Sequence, residues 1–124
     1  MATIQATSRI ADLRHRRREL RKEIARVRWW RTLVKARREL TVARLAAATT
    51  RDTDLDTAWE ALAADAPTPG EISEAIWADE APPTATTLED LDAIDRRLDS
   101  YERRLSANLE LVMERMVEAM GATH

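Results

Sequence analysis

Arg28, Arg31, Lys35 and Glu39 are spaced by three or four residues, which on a helix sets them in one row. Three cations over roughly 10 Å of helix rise can hold an anion or an acidic partner. Arginine adds a bidentate grip on phosphate and a flat face for stacking on guanine. The same row also has a structural reading. Asp and Glu of another helix, Glu102 among them, neutralise it, as such pairs commonly do in antiparallel hairpins. The structural reading carries somewhat more weight.

Little else in the chain could do chemistry. Of the two His, His15 sits inside an Arg run and His124 at the end, and neither has metal-ligand spacing with another ligand. There is no Cys, which excludes disulfides and thiolate metal sites. No glycine-rich phosphate loop is present. The many acids lie on coiled-coil helices, where such side chains are usually solvated ion-pair partners. No catalytic residue, metal or cofactor is expected from these residues, and the chain is not expected to be an enzyme.

The elements that position the row are long helices. The stretch Leu20–Leu45 contains neither Gly nor Pro and carries two adjacent Trp. Ile10, Leu13, Arg17, Leu20, Ile24, Val27, Arg31, Val34, Arg38, Thr41 and Leu45 alternate in steps of three and four, as a heptad seam requires. Arg intrudes at positions 31 and 38. A second row, Trp29, Leu33, Ala36, Leu40, Ala43 and Ala47, begins there. This predicts that the apolar face moves around the helix near Trp29–Trp30, through a local break in heptad phase. The helix then changes packing partner along its length, and the patch Arg31, Lys35 and Arg38 faces a ligand or partner.

Composition agrees. In 124 residues rich in Ala, Arg, Glu and Leu there are two Gly and no Phe, and no alternating strand pattern. Such a composition indicates long helices and coiled coil. No apolar run approaches the roughly 20 residues that span a bilayer, and the N-terminus lacks the apolar core of a signal peptide. A cytoplasmic protein without membrane association is expected.

The net charge of −2 conceals an asymmetry. Residues 1–51 carry fifteen Lys and Arg against four acids, residues 52–85 nine acids and no base, and residues 86–124 nine acids and five bases. A basic arm can bind nucleic acid. Here the Arg residues spread around the helix, and acidic segments of the same chain can neutralise them. Nucleic acid is therefore the weaker expectation.

The chain predicts one helical domain over 1–124, all-α: an antiparallel two-helix coiled-coil hairpin with two short helices in its connector. Thr7 or Ser8, or else Thr3, caps a first helix running from about 7 to 48. The connector spans 52–85. Its first short helix is capped by Thr53 or Asp54 and has Leu55, Trp59 and Leu62 on one face. Its second starts at Thr68-Pro69 with Glu71 closing a capping box, has Ile72 and Ile76 as its apolar face with Trp77 beside it, and ends by Pro82-Pro83. Trp59 and Trp77 are expected to pack on the long helices. Thr86 or Thr87 caps the last helix, from about 87 to 120, which stops at Gly121. Its seam is Leu88, Leu91, Asp95, Leu98, Glu102, Leu105, Leu109, Val112, Met116 and Ala119, widened by Ile94, Tyr101, Met113 and Met120. Asp95 and Glu102 can pair with seam arginines of the first helix and set the register. Two helices leave apolar surface uncovered, so a protein partner or a homodimer is expected.

The segments VRWWRTLVKARREL and LDSYERRLSANLELVMERM, the latter introduced by TLEDLDAIDRR, resemble the RsiG-like anti-sigma factors of actinobacteria. The resemblance covers about half the chain. It implies an antiparallel helical hairpin that regulates transcription by holding a sporulation sigma factor with the help of cyclic di-GMP. The family motif is E-x3-S-x2-R-x3-Q-x3-D. In the first helix its register falls on Ile24, Arg28, Arg31, Lys35 and Glu39, where Arg31 matches and Glu39 is a conservative replacement. In the last helix Glu102 and Ser106 match, whereas Leu109, Met113 and Val117 do not; a shifted register matches Ser100 and Arg103. The resemblance thus implies a ligand or partner face at Arg28, Arg31, Lys35, Glu39, Glu102 and Ser106. Cyclic di-GMP is the ligand it implies, and the positions lost from the second copy weigh against it.

Overall fold

The structure, a computed structural model, describes residues 2–50, 64–77 and 81–121. Side chains of the first helix are described from Ile4 to Ala46. Three helices are present: α1 (Ala2–Thr50), α2 (Pro69–Trp77) and α3 (Ala85–Gly121). Helices α1 and α3 pack together over their length, and among the described residues there is no strand. The fold is therefore the expected all-α hairpin. The first short connector helix expected over 53–62, with Trp59, lies outside the described residues.

Helix α1 is 49 residues long, about 73 Å at 1.5 Å per residue. It starts at Ala2, five or six residues before Thr7 and Ser8 and one before the alternative cap Thr3, and runs through all three. Without Gly or Pro to stop it, a Thr or Ser can ride on an exposed helix surface instead of capping. Helix α3 starts at Ala85 rather than at about 87. Its cap is Thr84, and Thr87 completes it: the Thr84 N–H donates to Thr87 Oγ1 at 3.1 Å, and the Thr87 N–H donates to the Thr84 carbonyl at 3.0 Å. Pro82-Pro83 immediately before excludes an earlier start, and the first Thr beyond them takes the cap.

The capping box of α2 forms as expected. Glu71 N–H donates to Thr68 Oγ1 at 3.2 Å, and Thr68 N–H donates to Glu71 Oε2 at 3.3 Å. Its expected apolar face does not pack: Ile72 and Ile76 are exposed. What ties this segment to the hairpin is Arg44 of α1, whose guanidinium lies 4.9 Å from the centroid of the Trp77 ring and donates to the Ala81 carbonyl at 3.2 Å. Thr68→Ala is expected to cost about 1 kcal/mol within α2 alone. Amide exchange at the first turn of α2 should then quicken about fivefold while the melting of α1 and α3 stays unchanged.

The core is the seam between α1 and α3. Ile24, Val27 and Thr41 on α1 and Val112, Met116 and Ala119 on α3 are buried, and every one belongs to an expected heptad row. Thr41 is accommodated because its hydroxyl donates to the Arg37 carbonyl at 2.7 Å. The pairing is antiparallel with a fixed register. Arg38 meets Asp92, and Arg31, seven residues earlier, meets Asp99, seven residues later.

One expectation is corrected here. The packed face does not move at Trp29–Trp30. The first row stays on α3 through Thr41 and Leu45, while Trp29, Leu33, Ala36, Leu40 and Ala43 are exposed. The reason is electrostatic: Arg31 and Arg38 do not have to leave the seam, because acids of α3 meet them there.

Candidate functional site

Helix α1 has two working faces. The first is the charged part of the seam. Arg31 lies at its centre, with its side chain 30% exposed, 3.2 Å from Asp95, 3.2 Å from Asp99 and 3.5 Å from Glu102. Arg28 reaches the other oxygen of Glu102 at 3.5 Å. Arg38 pairs with Asp92 at 2.6 Å. The hydrogen bond that Arg31 donates to Asp95, reinforced by the charges of Asp95 and Asp99 and by Glu102, raises the Arg31 pKa against the lowering effect of burial. The hydrogen bond that Arg38 donates to Asp92 does the same for Arg38.

The expected site residues are thus partly brought together. Arg28, Arg31 and Glu102 form one ion-pair cluster. Lys35 is exposed and lines a shallow groove with Arg31, Val34, Arg38, Leu91 and Asp95. Ser106 is half-buried one turn beyond Glu102 and, among the described residues, makes no hydrogen bond to the cations. Glu39 is exposed, outside this cluster. Arg28, Arg31, Lys35 and Arg38 face Asp92, Asp95, Asp99 and Glu102, and Asp99 also holds Arg103 of its own helix at 3.1 Å, so the carboxylates are already met by cations of the chain. A phosphate at this place would meet four carboxylates. Register setting accounts for the cluster better than anion binding does.

Arg31→Ala leaves three carboxylates without their common partner. It is expected to cost about 1–2 kcal/mol, since the site is part-exposed and solvent screens the loss. A raised arginine pKa stabilises the fold at all pH below the ordinary guanidinium value and loses that contribution only as pH rises beyond it. The deficit in melting temperature should therefore be the same at roughly pH 7 and pH 9, and smaller at high salt.

The second face lies on the outside of α1, away from α3. In the heptad whose seam positions are Ile24, Val27, Arg31 and Val34, the residues Trp29, Leu33, Ala36, Leu40 and Ala43 occupy the positions farthest from the partner helix. Trp29 is 56% exposed, Leu40 43% and Leu33 42%. Trp29 and Trp30 stack edge to face with ring centroids 4.9 Å apart. In an antiparallel pair like flanks face one another, so Trp30 shares a side with exposed Ile94 and Tyr101 of α3. The result is one apolar strip with coiled-coil spacing and nothing on it among the described residues. The row was legible in the sequence; its outward direction was not.

Among the described residues no group of His, Cys, Asp and Glu could hold a metal ion, and no helix is long and apolar enough to cross a membrane. Compared with protein-family models, with curated proteins and with solved structures, the chain matches none.

Proposed function

We propose that this chain is a regulatory protein-binding module, an RsiG-like hairpin acting in the cytoplasm on a sigma factor or a comparable partner protein. The observation that carries the reading is the strip on α1. Exposed apolar residues recur at Trp29, Leu33, Ala36, Leu40 and Ala43, a spacing that suits a helix laid against it. Single exposed apolar side chains are ordinary; a contiguous row is a partner surface. The area available supports it. The chain exposes 10202 Å², whereas a compact globule of its mass exposes about 6,700 Å². The sigma factor comes from the resemblance in sequence, and no catalytic chemistry is part of the reading. Cyclic di-GMP fits less well, because Arg28 and Arg31 are committed to carboxylates.

A pull-down from the native host, with and without cyclic di-GMP, tests the proposal. Recovery of a transcription protein by the native chain, lost with Leu33→Glu, is the expected result. Recovering no transcription protein in either condition removes the sigma-factor reading.

A second reading has one observation in its favour. The N-terminal half of α1 is basic and exposed, and Trp29 and Trp30 beside it could stack on bases. That reading requires retention of mixed DNA or RNA at low salt with steep salt dependence. No retention ends it.

A further inference from the structure

We infer that two copies of the chain associate through one side of the hairpin near its open end, each α1 lying over the α3 of the other copy. The side in question is the one that carries Arg28 on α1 and Asp99 on α3. Continued toward the open end, its α1 flank is Ala11, Arg14, Arg18, Arg21 and Ala25, by the heptad of the seam. Its α3 flank turns outward through Glu110, Met113, Glu114, Val117 and Met120. All of these residues are exposed. The α1 flank has no acid and the α3 flank no base. None of Arg14, Arg18, Arg21, Glu110 and Glu114 is ion-paired among the described residues. Arg17, on the seam beside them, adds a cation that no acid of α3 meets, and its Nε is buried without a hydrogen-bond partner. A basic row and an acidic row therefore run side by side on one face. Met113 and Val117 form a shallow apolar groove among the acids.

Such a face is complementary to itself. In the hairpin, Arg38 is level with Asp92, Arg31 with Asp99 and Arg28 with Glu102. The same count sets residues 14–21 of α1 level with residues 109–116 of α3, the stretch that holds both glutamates. A two-fold axis parallel to the helices keeps these levels and exchanges α1 for α3. The arginines of each copy then lie over the glutamates of the other, and their aliphatic stems cover Met113. Small Ala11 falls over the larger Val117 and Met120. An axis across the helices would set arginine on arginine. Nucleic acid suits the face less well, because its own glutamates repel phosphate. The face is about 30 Å long and about 20 Å wide, roughly 600 Å² per copy. That is the lower end of a specific interface, so the association depends on concentration. The strip from Trp29 to Ala43 lies farther along α1 and on another side, so the dimer leaves it exposed and presents it twice. The inference stands apart from the protein-binding reading and goes beyond it.

Sedimentation velocity of the full chain from about 5 µM to about 500 µM tests it, and should show a dimer of the 14.1 kDa chain growing in with concentration. Raising salt from about 50 mM to about 500 mM should weaken that dimer, a result that needs no variant. Arg14→Glu with Arg18→Glu, and separately Glu110→Lys with Glu114→Lys, should each weaken self-association at least about tenfold while circular dichroism shows the helices intact. The first variant has two acidic rows and the second two basic rows, so an equimolar mixture of the two should dimerise again. Leu33→Glu should dimerise as the wild type does. A wild type that stays monomeric throughout the range overturns the inference. So does a dimer that both charge variants keep, a mixture that stays monomeric, or a dimer lost with Leu33→Glu.

Discussion

Val112→Lys unfolds the hairpin. Val112 is 1% exposed, and with Met116 and Ala119 it forms the buried part of α3. The hairpin register sets Val112 level with Arg17 of α1, a half-buried seam cation whose Nε is buried without a hydrogen-bond partner, so an ammonium placed there meets a like charge and no carboxylate. Burying an unpaired charge costs about 3–5 kcal/mol. Whole domains are stable by about 5–15 kcal/mol, and this one has only six buried side chains among those described. Far-UV circular dichroism should show the loss of most helical signal, or a melting temperature lower by about 10 °C or more. Val117→Lys, five residues on in the same helix but 68% exposed, is the control and should shift stability by no more than about 0.5 kcal/mol. Equal behaviour of the two variants would mean that α3 does not pack through the Val112 face.

Leu33→Glu has the opposite signature. Leu33 faces away from α3 and is already in solvent, so its loss should change stability by no more than about 0.5 kcal/mol. At the centre of an interface the same change buries a charge against an apolar partner. We expect partner affinity to fall at least about 100-fold, in the range of interface hot spots, with Trp29→Ala close behind. Calorimetric titration of the partner into wild type and variant reads the first quantity, and thermal melting reads the second. A Leu33→Glu chain that melts far below the wild type would place Leu33 in a core contact of the hairpin.

Much of this fold is legible in the sequence, for a definite reason. The steps of three and four are strict over both long helices, so the seam rows pick out Ile24, Val27, Thr41, Val112, Met116 and Ala119 before any contact is known. Arg31 and Arg38 are harder. A charge on a seam reads as a break in the seam unless its partner is known, and the partner depends on the register of two helices separated by a connector of more than thirty residues. Once Asp92, Asp95, Asp99 and Glu102 are level with them, the break disappears and the second apolar row becomes a surface. The residues suggested by a family motif fare unevenly for the same reason. Arg28, Arg31 and Glu102 come together through the hairpin register, whereas Glu39 and Ser106 share their helices but not their contacts. Helix starts were missed by a few residues because Thr and Ser recur near both of them, and a capping residue type does not say which copy caps.

The central claim is a division of labour on α1: the seam charges hold the hairpin, and the outer strip holds the partner. The partner recovered from host cells, titrated into wild type, Leu33→Glu and the double variant Arg31→Ala with Lys35→Ala, tests it most directly when each chain's melting temperature is also taken. The account predicts lost binding with an unchanged melt for Leu33→Glu, and a lowered melt with unchanged binding to the folded chain for the double variant. The reverse pattern, with binding lost at Arg31 and Lys35 and kept at Leu33, would contradict it.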